Sequence, residues 1–303
     1  MLLLGIVASQ LDWGRIGDRL SHGEPVDFLL AVLVLVLALA LAAWRWHALL
    51  AGAGVPLGVP RLWRIYAVST FSSTFLPTSM GGDVARTLLV TRRPTLLPRV
   101  AITVVVDRLG GFVGLIGLAW IAFLLAPSAV PDGSRVFLLV ATAVCAVTGI
   151  ALAWLALWSP QRLRRMVPTR LTDAVRDARA LIADYLRDPS LLVLWTVLSF
   201  VNQALIALQL VLLSRAIDVD LAYTTAAVAL ALVTIVTLIP ISIGGFGVRE
   251  GSYVVLLGGA SIAAADATLI SVLSVAALFV ASLPGAYLIV RGRVGATAEA
   301  MPA

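Results

Sequence analysis

The chain has 303 residues, of which 61% are hydrophobic and only 13% are charged, about half the charged fraction of an average soluble domain. This composition excludes a soluble globular enzyme and predicts an all-α polytopic membrane protein, with residues 1–303 forming a single membrane domain. The formal net charge is +6 and all 22 basic residues are arginine, but they stand at the ends of apolar runs, so no nucleic-acid partner is predicted.

The chain begins with an apolar run, residues 1–11, which would be about 16 Å long as a helix, half of a ~30 Å hydrocarbon core. A signal peptide is the competing interpretation, but no positively charged residue precedes the run and no convincing cleavage site follows it. We interpret it as a short or truncated first span. Residues 12–27 alternate apolar and charged side chains at helical spacing and predict a helix in the membrane interface.

The second span is predicted over residues 27–43 and ends in Trp44-Arg45-Trp46-His47, which is typical of an interfacial aromatic and basic belt. The next apolar segment, residues 61–76, contains several Ser and Thr and ends at a polar motif, Pro77–Arg86. Basic residues flank both ends of the segment 61–100. It is therefore predicted to be a re-entrant hairpin that returns to the side from which it enters.

The polar motif occurs twice. Pro240–Arg249 repeats the pattern P-x-S-x-G-G-x-x-x-R of Pro77–Arg86, 163 residues later (240 minus 77). Proline ends the hydrogen-bond ladder of a helix, and paired glycines allow a sharp turn. The residues predicted to form the two turns are Pro77, Gly81, Gly82, Pro240, Gly244, Gly245 and Gly247.

Broken helices at matching positions of two repeats are typical of transporters, in which they form a binding site at the repeat interface. Exposed amides within a bilayer are tolerated only against protein or a water-filled cavity, so two such turns predict an internal polar site. The alternative is a pair of tight loops between ordinary spans.

Span three, residues 100–125, contains Asp107-Arg108 near its start. Adjacent charges point in different directions on a helix, so each is expected to have a partner elsewhere. The same span carries glycines at three- and four-residue spacing, which predict close approach to another helix. They are Gly110, Gly114 and Gly117.

Span four is predicted over residues 136–158 and is followed by a polar segment, residues 159–189, that contains seven arginines and predicts a cytoplasmic amphipathic helix on an anionic leaflet. Span five, residues 191–213, carries Ser199, Asn202 and Gln209 near one face, where they either link helices or line a cavity. A second hairpin, 222–258, and a sixth span, 262–290 with a kink at Pro284, complete the chain.

The arginines predict the orientation. On this topology one side of the membrane receives 17 arginines and the other receives 5, so the first side is cytoplasmic by the positive-inside rule and both termini lie there. Three spans separate the hairpins, so the first enters from the cytoplasm and the second from outside. The prediction is therefore about six spans plus two re-entrant hairpins in an inverted repeat.

The motifs resemble a known family. Pro77–Arg86, Asp107-Arg108-Leu109-Gly110-Gly111 and Pro240–Gly251, the last containing the specific string GGFGVREG, are similar to the hallmarks of the transmembrane flippase region of lysylphosphatidylglycerol synthases. The resemblance covers nearly the whole chain and implies a lipid-translocating domain of the bacterial inner membrane. The chain departs from the family in having no C-terminal soluble domain and a short first span. Synthesis of an aminoacyl lipid by this chain alone is therefore not expected, and the lipid is left open.

These observations favour a flippase, not an enzyme, for an anionic or zwitterionic phospholipid or a polyprenyl phosphate. Arg86 and Arg249 would meet the phosphate together with helix-terminal amides. Asp83 and Glu250 would hold those arginines or accept a cationic head group. The alternative for each residue is a helix cap or a structural ion pair, and for Asp83 a capping role is at least as compatible with its position. The predicted substrate-binding residues are Arg86, Arg249, Arg108, Asp83, Asp107, Glu250 and Asn202.

Two other functions stay open. One is a membrane-embedded transferase acting on a lipid phosphate, with Asp83, Asp107 and Glu250 as base or metal ligands; the other is a scaffold subunit without catalysis. The single cysteine and the two histidines offer no metal-ligand spacing, so no metal or cofactor is expected. A lipid-synthesising enzyme is a possible partner, as is a second copy of the chain.

Overall fold

A computed structural model describes residues 24–75, 81–93, 95–127, 134–157, 169–238 and 247–291. The secondary structure in these ranges is helical throughout, as the long apolar runs predict. The ten helices described are α1 (Pro25–Gly52), α2 (Val59–Phe75), α3 (Gly81–Val90), α4 (Leu97–Leu125), α5 (Ser134–Leu157), α6 (Thr169–Arg187), α7 (Pro189–Arg215), α8 (Tyr223–Thr237), α9 (Val248–Gly258) and α10 (Ala264–Val290).

Four of these helices, α1, α4, α7 and α10, are long and apolar enough to cross a membrane. The chain is therefore a multi-pass membrane protein. The four helices coincide with four of the six predicted spans. Of the other two, the run 1–11 lies outside the described residues, and α5 contains a shorter apolar stretch, Arg135–Ala151.

The long helices α1 and α7 pack against each other in opposite directions. At one end of the pair, the backbone N–H of Glu24, just before α1, donates to the carbonyl of Ala216, just after α7 (3.2 Å). At the other end, the hydroxyl of Tyr185, which lies shortly before α7, donates to the carbonyl of Leu49 near the end of α1. The pair is therefore antiparallel over its whole length.

Glycines bring α4 into direct backbone contact with α7. A Cβ added to Gly114 would lie 2.4 Å from the carbonyl oxygen of Ser199, and one added to Gly110 would lie 2.7 Å from the ring of Trp195. A Cβ at Gly117 would meet the ring of Phe200 at 2.4 Å. The close approach predicted from the glycine spacing is confirmed, with α7 as the partner.

Two pairs of shorter helices pack with these long helices. In the first pair, α2 packs against α3, and in the second, α8 packs against α9. The residues between the members of each pair, 76–80 and 239–246, lie outside the described residues, so the predicted turn residues Pro77, Pro240, Gly244 and Gly245 are not described. Helix α8 lies at the centre of the bundle, where its side chains from Thr225 to Val233 are all buried.

The contacts between helices follow one pattern twice. The first helix of each pair packs against the helix that follows the other pair, so that α2 contacts α10 and α8 contacts α4. In the same way, α4 packs against α7 and α10 packs against α1. If α1, α2, α3 and α4 are matched with α7, α8, α9 and α10 in that order, each helix has neighbours that correspond to those of its match. Helices α5 and α6 have no counterpart in this pattern.

The predicted amphipathic segment contains α6. Its described apolar side chains do not all face a lipid surface, because Leu181 and Tyr185 are buried against Leu49 and Ala53 at the end of α1. These two side chains of α6 thus dock onto the bundle. Helix α6 is fixed at the end of the molecule where α1 ends and α7 begins.

Candidate functional site

The bundle contains a polar cavity of about 260 Å³ between six helices, α1, α2, α3, α4, α7 and α8. Three arginines and two aspartates line it, together with hydroxyl and amide side chains. Such a concentration of polar groups between apolar helices is typical of a binding site or a transport path. The charged residues are Arg45, Asp83, Arg86, Asp107 and Arg108.

Asp107 of α4 is the centre of the charged network. Its Oδ1 accepts a hydrogen bond from Nε of Arg45 (2.8 Å), and its Oδ2 accepts one from Nη1 of Arg86 (2.9 Å). Arg45 is further fixed by the carbonyl of Asp107 and by the hydroxyl of Ser199, both at 3.0 Å. All three charged side chains are at least nine-tenths buried, so each charge depends on its partner.

Asp83 of α3 extends the network toward the surface of the cavity. Its Oδ1 pairs with Nη2 of Arg86 (2.9 Å) and its Oδ2 with Nε of Arg108 (2.6 Å). The side chain of Arg86 is 3% exposed, that of Asp83 is 18% exposed and that of Arg108 is 42% exposed. The charges therefore run from a sealed inner end at Asp107 to an open end at Arg108.

Arg86 is held between these two carboxylates and two aromatic rings. Its guanidinium carbon lies 4.7 Å from the ring centroid of Trp46 and 5.7 Å from that of Tyr66. Desolvated contacts of this kind stabilise a cation by up to about 2 kcal/mol. The buried Nε of Arg86 has no hydrogen-bond partner among the described residues. One donor of a rigidly held cation is thus left without a partner among the described residues.

The sequence at the start of α3 explains how Asp83 and Arg86 reach this position. A Cβ added to Gly82 would lie 2.8 Å from Cβ of Ser73 and 2.9 Å from the carbonyl oxygen of Ser69. Only glycine therefore allows α3 to begin directly against α2. Residues three apart share a face of a helix, so this placement points Asp83 and Arg86 toward α4 together.

Asn202 serves both roles left open by the sequence, and so does its neighbour Gln203, which was not in the predicted set, whereas Gln209 is buried and is not among the described residues that line the cavity. Nδ2 of Asn202 donates to the carbonyl of Ala38 in α1 (2.6 Å), and Nε2 of Gln203 donates to the carbonyl of Gly111 in α4 (2.9 Å). Both side chains also line the cavity. They link α7 to its neighbours and at the same time contribute to the polar wall.

Arg249 and Glu250 lie elsewhere. Neither is among the described residues that line the cavity. Glu250 accepts a hydrogen bond from the backbone N–H of Gly247, at φ +83°, and another from the hydroxyl of Ser271 at 3.3 Å. This is the capping arrangement at the start of a helix. That Arg249 joins Arg86 at one ligand stays a prediction.

Arg45, Trp46 and Tyr66 were not predicted as site residues. The interfacial belt assigned to Trp44-Arg45-Trp46-His47 is wrong for Arg45 and Trp46, which are 5% and 0% exposed, whereas Trp44 is 56% exposed as a belt residue should be. The sequence feature that could have indicated Arg45 is Asp107, because a carboxylate within an apolar span needs a positively charged partner from another part of the chain.

The chemistry that this arrangement offers is anion binding. Three arginines against two aspartates leave one net positive charge. Both oxygens of Asp83 and both of Asp107 accept from arginine, so these carboxylates are poorly placed to take a proton from a substrate or to ligate a metal. Within the described ranges, no group of three metal-binding side chains is found.

Comparison with known families adds one match. A family model described as the lysylphosphatidylglycerol synthase TM region matches residues 1–285. A search of curated proteins finds no match.

Proposed function

We propose that this chain, which belongs to the lysylphosphatidylglycerol synthase transmembrane-region family, moves a phosphate-bearing lipid between the leaflets of the cell membrane. Membership of this family supports a lipid-related function in a membrane. Translocation, as opposed to binding or chemistry, is the further step that we propose.

The single observation that carries the proposal is the state of Arg86. It is a buried cation between two aromatic rings and two carboxylates, it lines a polar cavity, and its Nε is unpartnered. Phosphate oxygens suit such a donor because charge-assisted hydrogen bonds to arginine are short and strong. A head group entering past Arg108 would approach Arg86, which lines the inner end of the cavity.

The occupied carboxylates favour transport over catalysis. A membrane-embedded transferase would need a free base or metal ligands near the lipid phosphate. Asp83 and Asp107 are instead neutralised by arginines, so we propose that the chain is not an enzyme. A separate lipid-synthesising enzyme would then supply the lipid.

The helix contacts support an inverted repeat. Helices α1 and α7 occupy equivalent places in the repeated contact pattern and run antiparallel, as a half-turn about an axis in the membrane plane requires. Helices α3 and α9 have 10 and 11 residues, which gives about 15 Å of helix, too short to span the bilayer. We therefore propose six spans and two re-entrant hairpins.

The arginines at the helix ends support the predicted orientation. Arg61, Arg64, Arg187 and Arg291 lie at the end of the bundle where α1 and α10 finish and α7 begins, whereas Arg135 and Arg215 lie at the opposite end. By the positive-inside rule the first end is cytoplasmic.

The test is leaflet-resolved transport in proteoliposomes, using phosphatidylglycerol and diacylglycerol carrying the same fluorescent acyl chain. Transport of phosphatidylglycerol is expected, and Arg108→Ala should reduce it at least about tenfold, since a lost charge-assisted contact is worth roughly 1.5–3 kcal/mol. Arg64→Ala is the matched control, because Arg64 is exposed and its described hydrogen bond is to the carbonyl of Pro60.

Each possible result has a clear meaning. Equal movement of both lipids would contradict a phosphate-dependent site. An Arg108→Ala protein that transports at the wild-type rate would show that the charged cavity is not on the transport path.

A further inference from the structure

We propose that an apolar groove between α4, α5 and α8 holds a hydrocarbon chain of the lipid whose phosphate occupies the polar cavity. This inference rests on the proposed function. It adds a second compartment to the site and identifies α5, which lies outside the repeated contact pattern, as part of the lipid path.

The groove has a volume of about 220 Å³ and almost no polar lining. One wall is a stripe of α5 with helical spacing that includes Ala141, Cys145 and Thr148, and the facing wall contains Leu109, Phe112 and Ile116 of α4. Ile235 of α8 completes it. A lining of this kind suits a chain of methylene groups and no polar ligand.

Two side-chain contacts join the end of α4 to the start of α5. Nε1 of Trp120 donates to the hydroxyl of Thr142 (2.8 Å), and the guanidinium of Arg135 lies 5.2 Å from the ring centroid of Phe123. The groove lies between the same two helices. Along it α5 is exposed, with Val144 62% and Ile150 68% accessible. Lipid chains can therefore enter from the side.

The groove and the polar cavity are neighbours. Phe112 lines both. On α4, Arg108 lines the cavity while the next residue, Leu109, lines the groove; on α8, Thr234 lines the cavity while Ile235 lines the groove. One turn of α4 thus separates a phosphate-binding compartment from a hydrocarbon-binding one, which is the polarity of a single lipid molecule.

The two compartments solve a physical problem of lipid movement. A phosphate must leave water for the interior of the bundle, and a hydrocarbon chain must not leave an apolar environment while this happens. With the head group at Arg108 and Arg86, a chain lying past Phe112 remains among apolar side chains and membrane lipid. Blocking the groove should therefore exclude long-chain lipids and leave the head-group contacts intact.

The first experiment compares Ala141→Trp, which fills the groove at a residue 7% exposed, with Val147→Trp, which adds the same ring to a site 65% exposed outside it. Retention of dioleoyl phosphatidylglycerol and of water-soluble dihexanoyl phosphatidylglycerol is measured by native mass spectrometry. We expect Ala141→Trp to lower retention of the long-chain lipid about tenfold, the effect of overpacking a filled space, and to leave the short-chain lipid unchanged. Val147→Trp should change neither.

The second experiment needs no change in the groove. The chain has one cysteine, Cys145, and it lines the groove. Its alkylation by N-ethylmaleimide in detergent should slow several-fold when dioleoyl phosphatidylglycerol is added, and should not slow with the dihexanoyl lipid or with dioleoylglycerol. An Arg108→Ala protein should lose this protection.

The outcomes separate the two proposals. Retention that depends on Arg108 but ignores Ala141→Trp, with Cys145 alkylated equally fast in both lipids, would overturn the groove and leave the phosphate site standing. Retention independent of Arg108 would overturn the proposed function and the groove with it.

Discussion

At the scale of single residues, Asp107 is the group on which the buried charges depend. Its carboxylate forms a salt bridge with Arg45. It also forms one of the two salt bridges of Arg86, the other being to Asp83. Removing one partner of a buried ion pair costs about 3–5 kcal/mol, because the remaining charge loses its compensation without returning to water.

Asp107→Asn is accordingly expected to lower the thermal stability of the protein in detergent strongly, by roughly 3–5 kcal/mol in unfolding free energy. Asp83→Asn is the matched control, because its partner Arg108 is 42% exposed and Arg86 keeps Asp107. Its effect on stability should be clearly smaller. The melting temperatures of the two variants in detergent test this prediction. An equal decrease in melting temperature for both variants would show that the burial of a carboxylate does not determine its contribution to stability.

Glu250 offers a test between two roles. Its carboxylate caps α9 through Gly247, and an amide oxygen can accept the same hydrogen bond. Glu250→Gln should therefore retain stability within about 1 kcal/mol, the size of a capping contribution, and should transport normally. A stable Glu250→Gln protein with little transport would instead show that the negative charge serves a lipid head group or Arg249.

The residues of the cavity were only partly predictable. The repeated motif predicts Asp83 and Arg86, and Asp107 and Arg108 are predicted because charges within an apolar span are costly and need a partner. Arg45 was missed because it stands between two tryptophans at a helix end, where a belt is the usual arrangement. Its partner is 62 positions away, and no local pattern reveals which side of α1 faces that partner.

At the scale of elements, the contact between α4 and α7 determines where Asp107 and Ser199 lie. Glycine spacing predicted a close helix approach but not its partner, since spacing describes one surface only. Gly285 of α10 makes an equally close contact, with its would-be Cβ 2.2 Å from the carbonyl oxygen of Ala67; no spacing pattern marked it.

Gly114→Ala should destabilise this contact. The added Cβ would lie 2.4 Å from the carbonyl oxygen of Ser199, so the helices must move apart, at a cost of about 1–3 kcal/mol. Gly149→Ala is the control, because no atom lies within 4 Å of its would-be Cβ. The melting temperature should fall for Gly114→Ala and stay or rise for Gly149→Ala; the reverse order would contradict the packing.

At the scale of the whole molecule, the motif repeat predicts a relation between two halves, and the contacts of α1–α4 correspond to those of α7–α10. The two copies of the motif differ in charge, because Phe246 stands in the second copy where Asp83 stands in the first. Asp83 pairs with Arg86 and Arg108, and a phenylalanine at the matching position cannot form such pairs.

The proposed orientation can be tested by labelling single cysteines in a Cys145→Ala background. Arg187→Cys and Arg135→Cys place exposed thiols at opposite ends of the bundle. A membrane-impermeant maleimide added to intact cells should label the second and not the first. The opposite result would invert the molecule in the membrane.

The depth of the charged network has an electrical consequence. Asp107 lies ten residues after the start of α4 at Leu97 (107 minus 97), about 15 Å along a helix of ~43 Å. With α4 centred in the bilayer, about 7 Å of its start lies outside the ~30 Å hydrocarbon core, so Asp107 lies roughly a quarter of the way through the core from the proposed cytoplasmic side. A phosphate monoanion leaving the network for the outer leaflet then crosses about three-quarters of the membrane potential, worth about 1.7 kcal/mol at 100 mV. An interior-negative potential should therefore speed outward movement of phosphatidylglycerol by up to about twentyfold and leave zwitterionic phosphatidylcholine unaffected, as measured in liposomes with a potassium diffusion potential. A voltage-independent rate for the anionic lipid would place the slow step outside this field.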